Sequence, residues 1–103
     1  MVKECASAEE FNSTIASGKV VVDFHAVWCG PCINIAPFLS ELDNANEGIT
    51  FIKVNVDCAW AKGLMQTHGV KCMPTFLFFN DGKVMNKMEG ANQEGLKSAV
   101  ASL

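Results

Sequence analysis

The pattern of apolar and polar residues divides the chain into alternating strands and helices. Short runs rich in β-branched and aromatic residues predict buried strands, because they are too short for core helices. Asn80-Asp81-Gly82 separates the last two runs and is typical of a hairpin turn. The predicted strands are residues 2–5, 19–25, 49–56, 75–79 and 83–88.

Segments with apolar residues at helical spacing lie between these strands. The first helix begins at Ser7, which has capping-box spacing to Glu10, and it ends before Gly18. Pro37 interrupts the second helix and is expected to kink it. Asn92 is the predicted N-cap of the last helix. The four predicted helices are residues 7–17, 29–46, 59–68 and the segment that follows residue 92.

The order of these elements predicts an α/β fold. Strands that alternate with helices and end in a hairpin indicate a mixed central sheet with helices on both faces. A chain of 103 residues predicts one domain, residues 1–103, that buries roughly 65% of its extended surface on folding. Half of the residues are apolar, so a core can form without disulfides.

Two cysteines stand where the apolar strand at 19–25 gives way to the second helix. Cys29 and Cys32 are three residues apart, so both sulfurs lie on one side of the first helical turn and can bond. Free N–H groups and the helix dipole favour a thiolate there, at Cys29 more than at Cys32. Gly30 permits a tight turn, and Pro31 has the helical φ. The pattern indicates a switchable dithiol with one reactive and one shielded sulfur.

The same cysteine spacing is also used in zinc sites. His68 and Cys72, four residues apart, would have to supply the other two ligands. A structural zinc site usually stabilises a domain with a small core, whereas this chain has enough apolar residues to form a core without a metal. The cysteine pair also follows a strand and opens a helix, which favours redox chemistry without a metal.

Other polar residues leave two interpretations open. Asp23 lies within an apolar strand, where burial would raise its pKa and make it a proton acceptor, or it faces solvent or a structural partner. Lys53 is the cation of the next strand and could pair with it. Trp28 forms either a substrate surface or a cap on the core. A lone histidine such as His25 tunes the dithiol or is inert. Pro74 opens a strand, where base rates favour a trans bond.

Composition excludes several classes of protein. The net charge is −3, and all eight basic residues are lysines. Because the chain has no arginine, it cannot bind a phosphate or a guanine through a bidentate guanidinium, and nucleic-acid binding is not expected. No apolar run approaches the ~18 residues of a membrane span. The first residues lack the layout of a signal peptide. The five cysteines are an odd number, which suits a reducing compartment, and we expect a cytoplasmic protein.

Taken together, the motifs resemble those of the thioredoxins, and of the cytosolic animal members in particular. The resemblance rests on residues 28–32, the preceding Val-Val-Asp-Phe, the segment 72–76 and the segment 90–92, and it spans the whole chain. It implies the thioredoxin fold and a general protein-disulfide reductase. In that mechanism Cys29 attacks, Cys32 resolves the mixed disulfide, and Asp23 accepts the proton of Cys32, with Lys53 beside it. Gly30 and Pro31 would tune the redox potential.

The resemblance also implies a cis Pro74, a substrate groove and a set of partners. The groove residues would be Trp28, Met73, Pro74, Gly90 and Ala91. Electrons would come from NADPH through thioredoxin reductase, with no cofactor bound to this chain. Its substrates would be disulfide proteins such as peroxiredoxins, ribonucleotide reductase and methionine sulfoxide reductase. We expect a monomer.

The chain departs from the family pattern at three places. Ile33 replaces a common lysine, and His25 replaces Trp, Ser or Ala. The segment 56–72 is two residues longer than the usual third helix and loop of the family. Two other functions stay open: a thiol oxidase or isomerase, against which Gly30-Pro31 argues by family comparison, and a non-catalytic binding partner. Cys72 is a candidate regulatory thiol, which either links two molecules on oxidation or stays reduced.

Overall fold

The computed structural model describes residues 2–103, which form a mixed five-stranded sheet and four helices. The strands are β1 (Lys3–Glu4), β2 (Lys19–His25), β3 (Ile49–Asn55), β4 (Thr75–Asn80) and β5 (Lys83–Glu89). The helices are α1 (Ala8–Ile15), α2 (Gly30–Ala45), α3 (Ala61–His68) and α4 (Gln93–Ser102).

Strand β2 lies at the centre of the sheet, whose order is β1-β3-β2-β4-β5. It runs parallel to β3 and antiparallel to β4, so the sheet is mixed, as predicted. The register places Asp23 of β2 opposite Lys53 of β3 on one side and opposite Phe76 of β4 on the other. The only acidic residue of β2 therefore has a cation on one flank and an aromatic ring on the other.

Helices cover both faces of the sheet, because the buried strands carry apolar side chains on both sides. On one face, Phe11 of α1 and Ala61 of α3 pack against a cluster that includes Val22 and Phe24. On the other face, Leu39 of α2 and Leu96 of α4 belong to a separate cluster, together with sheet residues such as Val21 and Phe78. Since side chains alternate along a strand, Asp23 lies on the α2 side, two residues from Val21.

Local sequence signals predicted most element bounds. The bounds of β2 are as predicted, and the hairpin turn has positive φ at Asp81 (49°) and Gly82 (85°), as a tight β-hairpin requires. The Ser7 and Asn92 side chains cap their helices by accepting from the N–H groups of Glu10 and Gly95. The predicted kink at Pro37, inside α2, stays a prediction.

The predicted start of the third helix was wrong by two residues. Residues 56–60 form turns in which Cys58 N–H donates to the Asn55 carbonyl and Ala61 N–H donates to the Cys58 carbonyl. The helix begins only after Trp60, which offers no side-chain cap. Within the part of the chain described, no helix combines the length and apolarity needed to cross a bilayer.

Candidate active site

The cysteine pair lies at the junction of β2 and α2, directly after the central strand. Cys29 is the N-cap residue of α2, with extended backbone angles, and Cys32 lies in the first turn. The two sulfurs form a disulfide, with Cα atoms 5.3 Å apart. The structure is thus that of the oxidised protein, and the predicted dithiol is able to close across one helical turn.

The two cysteines differ in their contacts. As whole residues, Cys29 and Cys32 are both buried in the oxidised form, at 6% and 4% exposure, and the predicted contrast between a reactive and a shielded sulfur stays a prediction. The sulfur of Cys29 accepts the Cys32 N–H at 3.2 Å and lies 3.7 Å from the carbonyl oxygen of Met73. In the reduced protein, that N–H and the helix dipole favour a thiolate at Cys29.

Gly30 and Pro31 complete the first turn of α2, and both are exposed. A Cβ at Gly30 would meet no atom within 4 Å, so this position does not need glycine for lack of space. Pro31 occupies a position where a helix has no use for an N–H, and it therefore costs no hydrogen bond. No acidic side chain lies in this first turn.

Asp23 is buried behind the disulfide, which excludes the solvent-facing interpretation. Its residue is 3% exposed, and its Oδ1 has no hydrogen-bond partner among residues 2–103. Burial raises the pKa of Asp23 to about 7, because a charged carboxylate loses its hydration there. The attraction of Lys53 lowers this pKa and the repulsion of Glu4 raises it, both to a smaller extent.

Lys53 acts on Asp23 through its field, and its ion pair is with another residue. The carboxylate within ion-pair distance of Lys53 Nζ is that of Glu4, with Oε1 at 4.0 Å. Glu4 and Asp23 flank Lys53 in register on the two neighbouring strands, β1 and β2. Lys53 is therefore the middle one of three charged residues in a row across the sheet, and its predicted partnership with Asp23 stays a prediction.

A cavity of about 280 Å³ joins Asp23 to Cys32. Its lining also includes His25, Lys53 and the exposed Ile33 of α2. The cavity has room for several water molecules, and its walls carry polar groups that water can bridge. It thus connects the side chains of Cys32 and Asp23 through a space that water can fill.

The predicted groove residues lie together on another side of the disulfide. The Met73–Pro74 peptide is cis, as the family resemblance implies and against the base-rate expectation. Pro74 is buried, and its carbonyl accepts the N–H of Gly90 at 2.9 Å. Gly90 has φ of 92°, a conformation that L side chains rarely adopt. The exposed Ala91 follows it, so these four predicted residues are linked to one another, and Met73 among them contacts Cys29.

Trp28 is a large exposed side chain next to Cys29 in the chain, at 66% exposure. Its indole N–H donates to the Asp57 carboxylate at 2.8 Å, and the backbone N–H of Asp57 donates to the side chain of Asn55. The ring is therefore held at the surface by a hydrogen bond rather than by burial. Sequence reasoning missed Asp57, because nothing local marks it as a partner of Trp28.

The alternative zinc set is not assembled. His68 packs against the rings of Phe11 and Phe79 on the α1 side of the sheet. Cys72 is a free, exposed thiol, while Cys29 and Cys32 are bonded to each other. Within residues 2–103, no group of three potential ligands lies close enough to hold a metal ion.

Comparisons with known proteins agree with this geometry. The family model described as Thioredoxin matches residues 2–102. Thioredoxin of Gallus gallus is 42% identical over 107 residues, covering 100% of this chain and 99% of that protein. The solved thioredoxin of Plasmodium falciparum superposes with a TM-score of 0.91 at 37% identity, covering 98% of each chain.

A second solved chain comes from a study of the thiol resolving mechanism in yeast mitochondrial 1-Cys peroxiredoxin via glutathione/thioredoxin systems. It superposes with a TM-score of 0.90 at 32% identity, covering 99% of this chain and 95% of that chain. The matches extend over nearly the whole chain, and the redox-active cysteine pair is in place. The chain therefore belongs to the thioredoxin family of thiol–disulfide oxidoreductases.

Proposed function

We propose that this chain is a protein-disulfide reductase in which Cys29, Cys32 and Asp23 have separate roles. The observation that carries the proposal is the Cys29–Cys32 disulfide at the start of α2, with the buried Asp23 sharing a cavity with Cys32. In the reduced protein, the Cys29 thiolate attacks a substrate disulfide, forms a mixed disulfide and releases one substrate sulfur as a thiolate.

The second step closes the disulfide within the chain. The Cys32 thiol gives its proton to the Asp23 carboxylate and attacks the sulfur of Cys29. The bond between Cys29 and the substrate breaks, and its electron pair leaves with the substrate sulfur. The raised pKa of Asp23 suits this role, because a proton acceptor works best when its pKa is near the working pH. Lys53 keeps the carboxylate from becoming fully protonated, and Gly30 and Pro31 set the potential of the pair.

The groove beside Cys29 would hold the substrate chain. Trp28 and Ala91 are exposed, Met73 and Gly90 are half-buried, and Pro74 forms the floor. An extended segment that carries a disulfide can lie across this surface within reach of Cys29. We therefore expect the substrates to be proteins whose disulfides are accessible.

Family membership supports a proposal for the wider setting of the reaction. The family works without a prosthetic group. We propose that thioredoxin reductase, with electrons from NADPH, restores the dithiol of this single domain. We further propose peroxiredoxins, ribonucleotide reductase and methionine sulfoxide reductase as substrates. The solved chain from the yeast peroxiredoxin study supports the first of these. A monomer in the cytoplasm fits the expected reducing compartment.

The reduction potential of the Cys29–Cys32 pair tests the direction of the reaction. We expect a reduction potential of about −270 mV, whereas a strong oxidase has a potential of about −120 mV. Equilibration with glutathione buffers, followed by alkylation of free thiols, measures it. A potential near that of an oxidase would replace the reductase with the alternative oxidase or isomerase.

Trapping of substrates tests the roles of the two sulfurs. Cys32→Ser should accumulate covalent mixed disulfides, because attack by Cys29 survives while resolution is lost. Cys29→Ser should accumulate few. The measurement is a non-reducing gel after incubation with a disulfide-containing protein, and both variants carry Cys72→Ser so that the exposed thiol does not contribute. Equal trapping by both variants would sink the assignment.

The pH dependence of stability tests the burial of the Asp23 charge. Because the pKa of Asp23 rises from 3.8 unfolded to about 7 folded, the native state binds the proton more tightly. This group therefore destabilises the fold progressively between about pH 4 and pH 7, by on the order of 4 kcal/mol at most. Asp23→Asn removes the penalty, so its stabilisation should be small at pH 5 and large at pH 8.

Denaturant unfolding at the two pH values measures the difference, with the exposed Glu47→Gln as the matched control. Asp23→Asn should also slow disulfide reduction near neutral pH by about 10²-fold, which is at the low end of the effect expected when a proton-transfer group is lost. A variant that loses stability while its turnover stays unchanged would make Asp23 a structural residue.

Cys72 is proposed as a regulatory thiol at the rim of the groove. It is exposed and stands two residues before Pro74, with its sulfur 4.0 Å from the hydroxyl of Thr75. Oxidation by peroxide should join two molecules through Cys72 and cover both grooves. Non-reducing gels of treated wild type, Cys72→Ser and the control Cys58→Ser compare the dimer bands. A dimer that persists in Cys72→Ser refutes this role.

A further inference from the structure

The imidazole of His25 occupies an unusual place in the cavity between Asp23 and Cys32. The side chain is 13% exposed, and its Nε2 is buried with no hydrogen-bond partner within residues 2–103. Nε2 lies 3.7 Å from Oε2 of Glu4, which is beyond hydrogen-bond length but close enough for a small shift to make the bond. Glu4 reaches solvent, because its side chain is 48% exposed.

Asp23 and His25 share one face of β2, because they are two residues apart on the strand. Asp23 Oδ1 and His25 Nε2 both lack a hydrogen-bond partner within residues 2–103, and water in the shared cavity could bridge the two side chains. Both side chains line the same cavity as Cys32. The groups thus form a row from the thiol of Cys32 through Asp23 and His25 to Glu4 at the surface.

We propose that His25 carries the proton of Cys32 from Asp23 out to solvent, with Glu4 as the outer acceptor. The inference rests on the proposed role of Asp23 as the first proton acceptor. Protonated Asp23 gives its proton, across the cavity, to one ring nitrogen of His25. The ring releases a proton from Nε2 towards Glu4 and solvent, and Asp23 returns to the carboxylate for the next turnover. The substrate thiolate released in the same step takes its proton from solvent.

The charges around the ring are compatible with this transfer. The titratable and charged groups that face it are Glu4 on β1, Lys53 on β3, Cys32 on α2 and Asp23 on β2. Burial lowers the pKa of His25 and raises that of Asp23, while Glu4 raises both and Lys53 lowers both. The pKa of Asp23 therefore lies above that of His25, so transfer of the proton to the ring is uphill and is completed by its release towards Glu4 and solvent.

A second route by which the proton could leave Asp23 is present, and it is the alternative to transfer through His25. A neighbouring cavity of about 260 Å³ also reaches Asp23 and Lys53 and is lined by Val2, Leu39 and Ser40. It holds no titratable group beyond Asp23 and Lys53 within the described chain. If protons leave through this cavity, loss of the imidazole should not affect the reaction.

Single-turnover oxidation of the reduced protein by dithiobis(nitrobenzoate) separates the two steps. The first coloured thiolate is released when Cys29 attacks, and the second is released when Cys32 resolves the mixed disulfide. All variants carry Cys72→Ser, so that the exposed thiol does not react. Near pH 7, close to the pKa of Asp23, many molecules begin the single turnover with Asp23 protonated and must lose that proton before Cys32 can be deprotonated. His25→Gln should therefore leave the first release unchanged and slow the second about tenfold in those molecules, less than loss of the primary acceptor because water offers a slower path. The deficit should shrink as rising pH lets hydroxide remove the proton.

His68→Gln is the matched control, because His68 is the other half-buried histidine and lies on the opposite face of the sheet. It should leave both releases unchanged. His25→Ala provides a readout that does not depend on comparison with wild type. Added imidazole should restore its second release, whereas pyrazole, a ring of the same size that is not a base at neutral pH, should not.

Combination with Asp23→Asn distinguishes failure of this inference from failure of the proposed acceptor. If His25 acts through Asp23, then His25→Gln should cause no further loss in the Asp23→Asn protein. An equal loss in both backgrounds, rescue by pyrazole, or an unchanged second release in His25→Gln would each overturn the exit route. A normal second release in Asp23→Asn would instead remove the acceptor on which the inference depends.

Discussion

The buried carboxylate of Asp23 is the constraint on which the arrangement of the site depends. It lies on the central strand of the sheet, between Lys53 and Phe76 in register, behind a helix that begins with the two cysteines. An apolar residue at this position would avoid the desolvation penalty, so packing alone does not account for an aspartate here. The polar row that reaches it from Glu4 and the cavity beside it also have no role in core packing. The proposed role of Asp23 as the proton acceptor for Cys32 gives all of these features one explanation.

Local sequence predicted the fold well wherever neighbours in the chain decide the conformation. The central strand, the hairpin turn and the caps at Ser7 and Asn92 depend on residues within three or four positions, and the structure confirms them. The start of α3 was wrong because turn hydrogen bonds around Cys58 replace the first helical turn, and no cap residue marks the boundary. Such turns leave little trace in the apolar pattern.

The site was predictable in its chemistry and less so in its contacts. The cysteine spacing and the acidic residue within an apolar strand are visible in the chain. The cis bond before Pro74 came from family resemblance, because base rates favour trans. The bond from Trp28 to Asp57 joins residues 29 positions apart, and the ion pair of Lys53 with Glu4 depends on strand order. Neither contact has a local pattern, so both required the tertiary structure.

The disulfide has two distinct sides, and this separation would let one small site carry out the two proposed steps in succession. Cys29 faces the carbonyl of Met73 and the groove, whereas Cys32 lines the cavity with Asp23 and His25. The residues that line this cavity include none of the groove residues. A substrate chain bound covalently to Cys29 would therefore leave the cavity open to water. Deprotonation of Cys32 can then proceed while the substrate still covers the other sulfur, as resolution of a mixed disulfide requires.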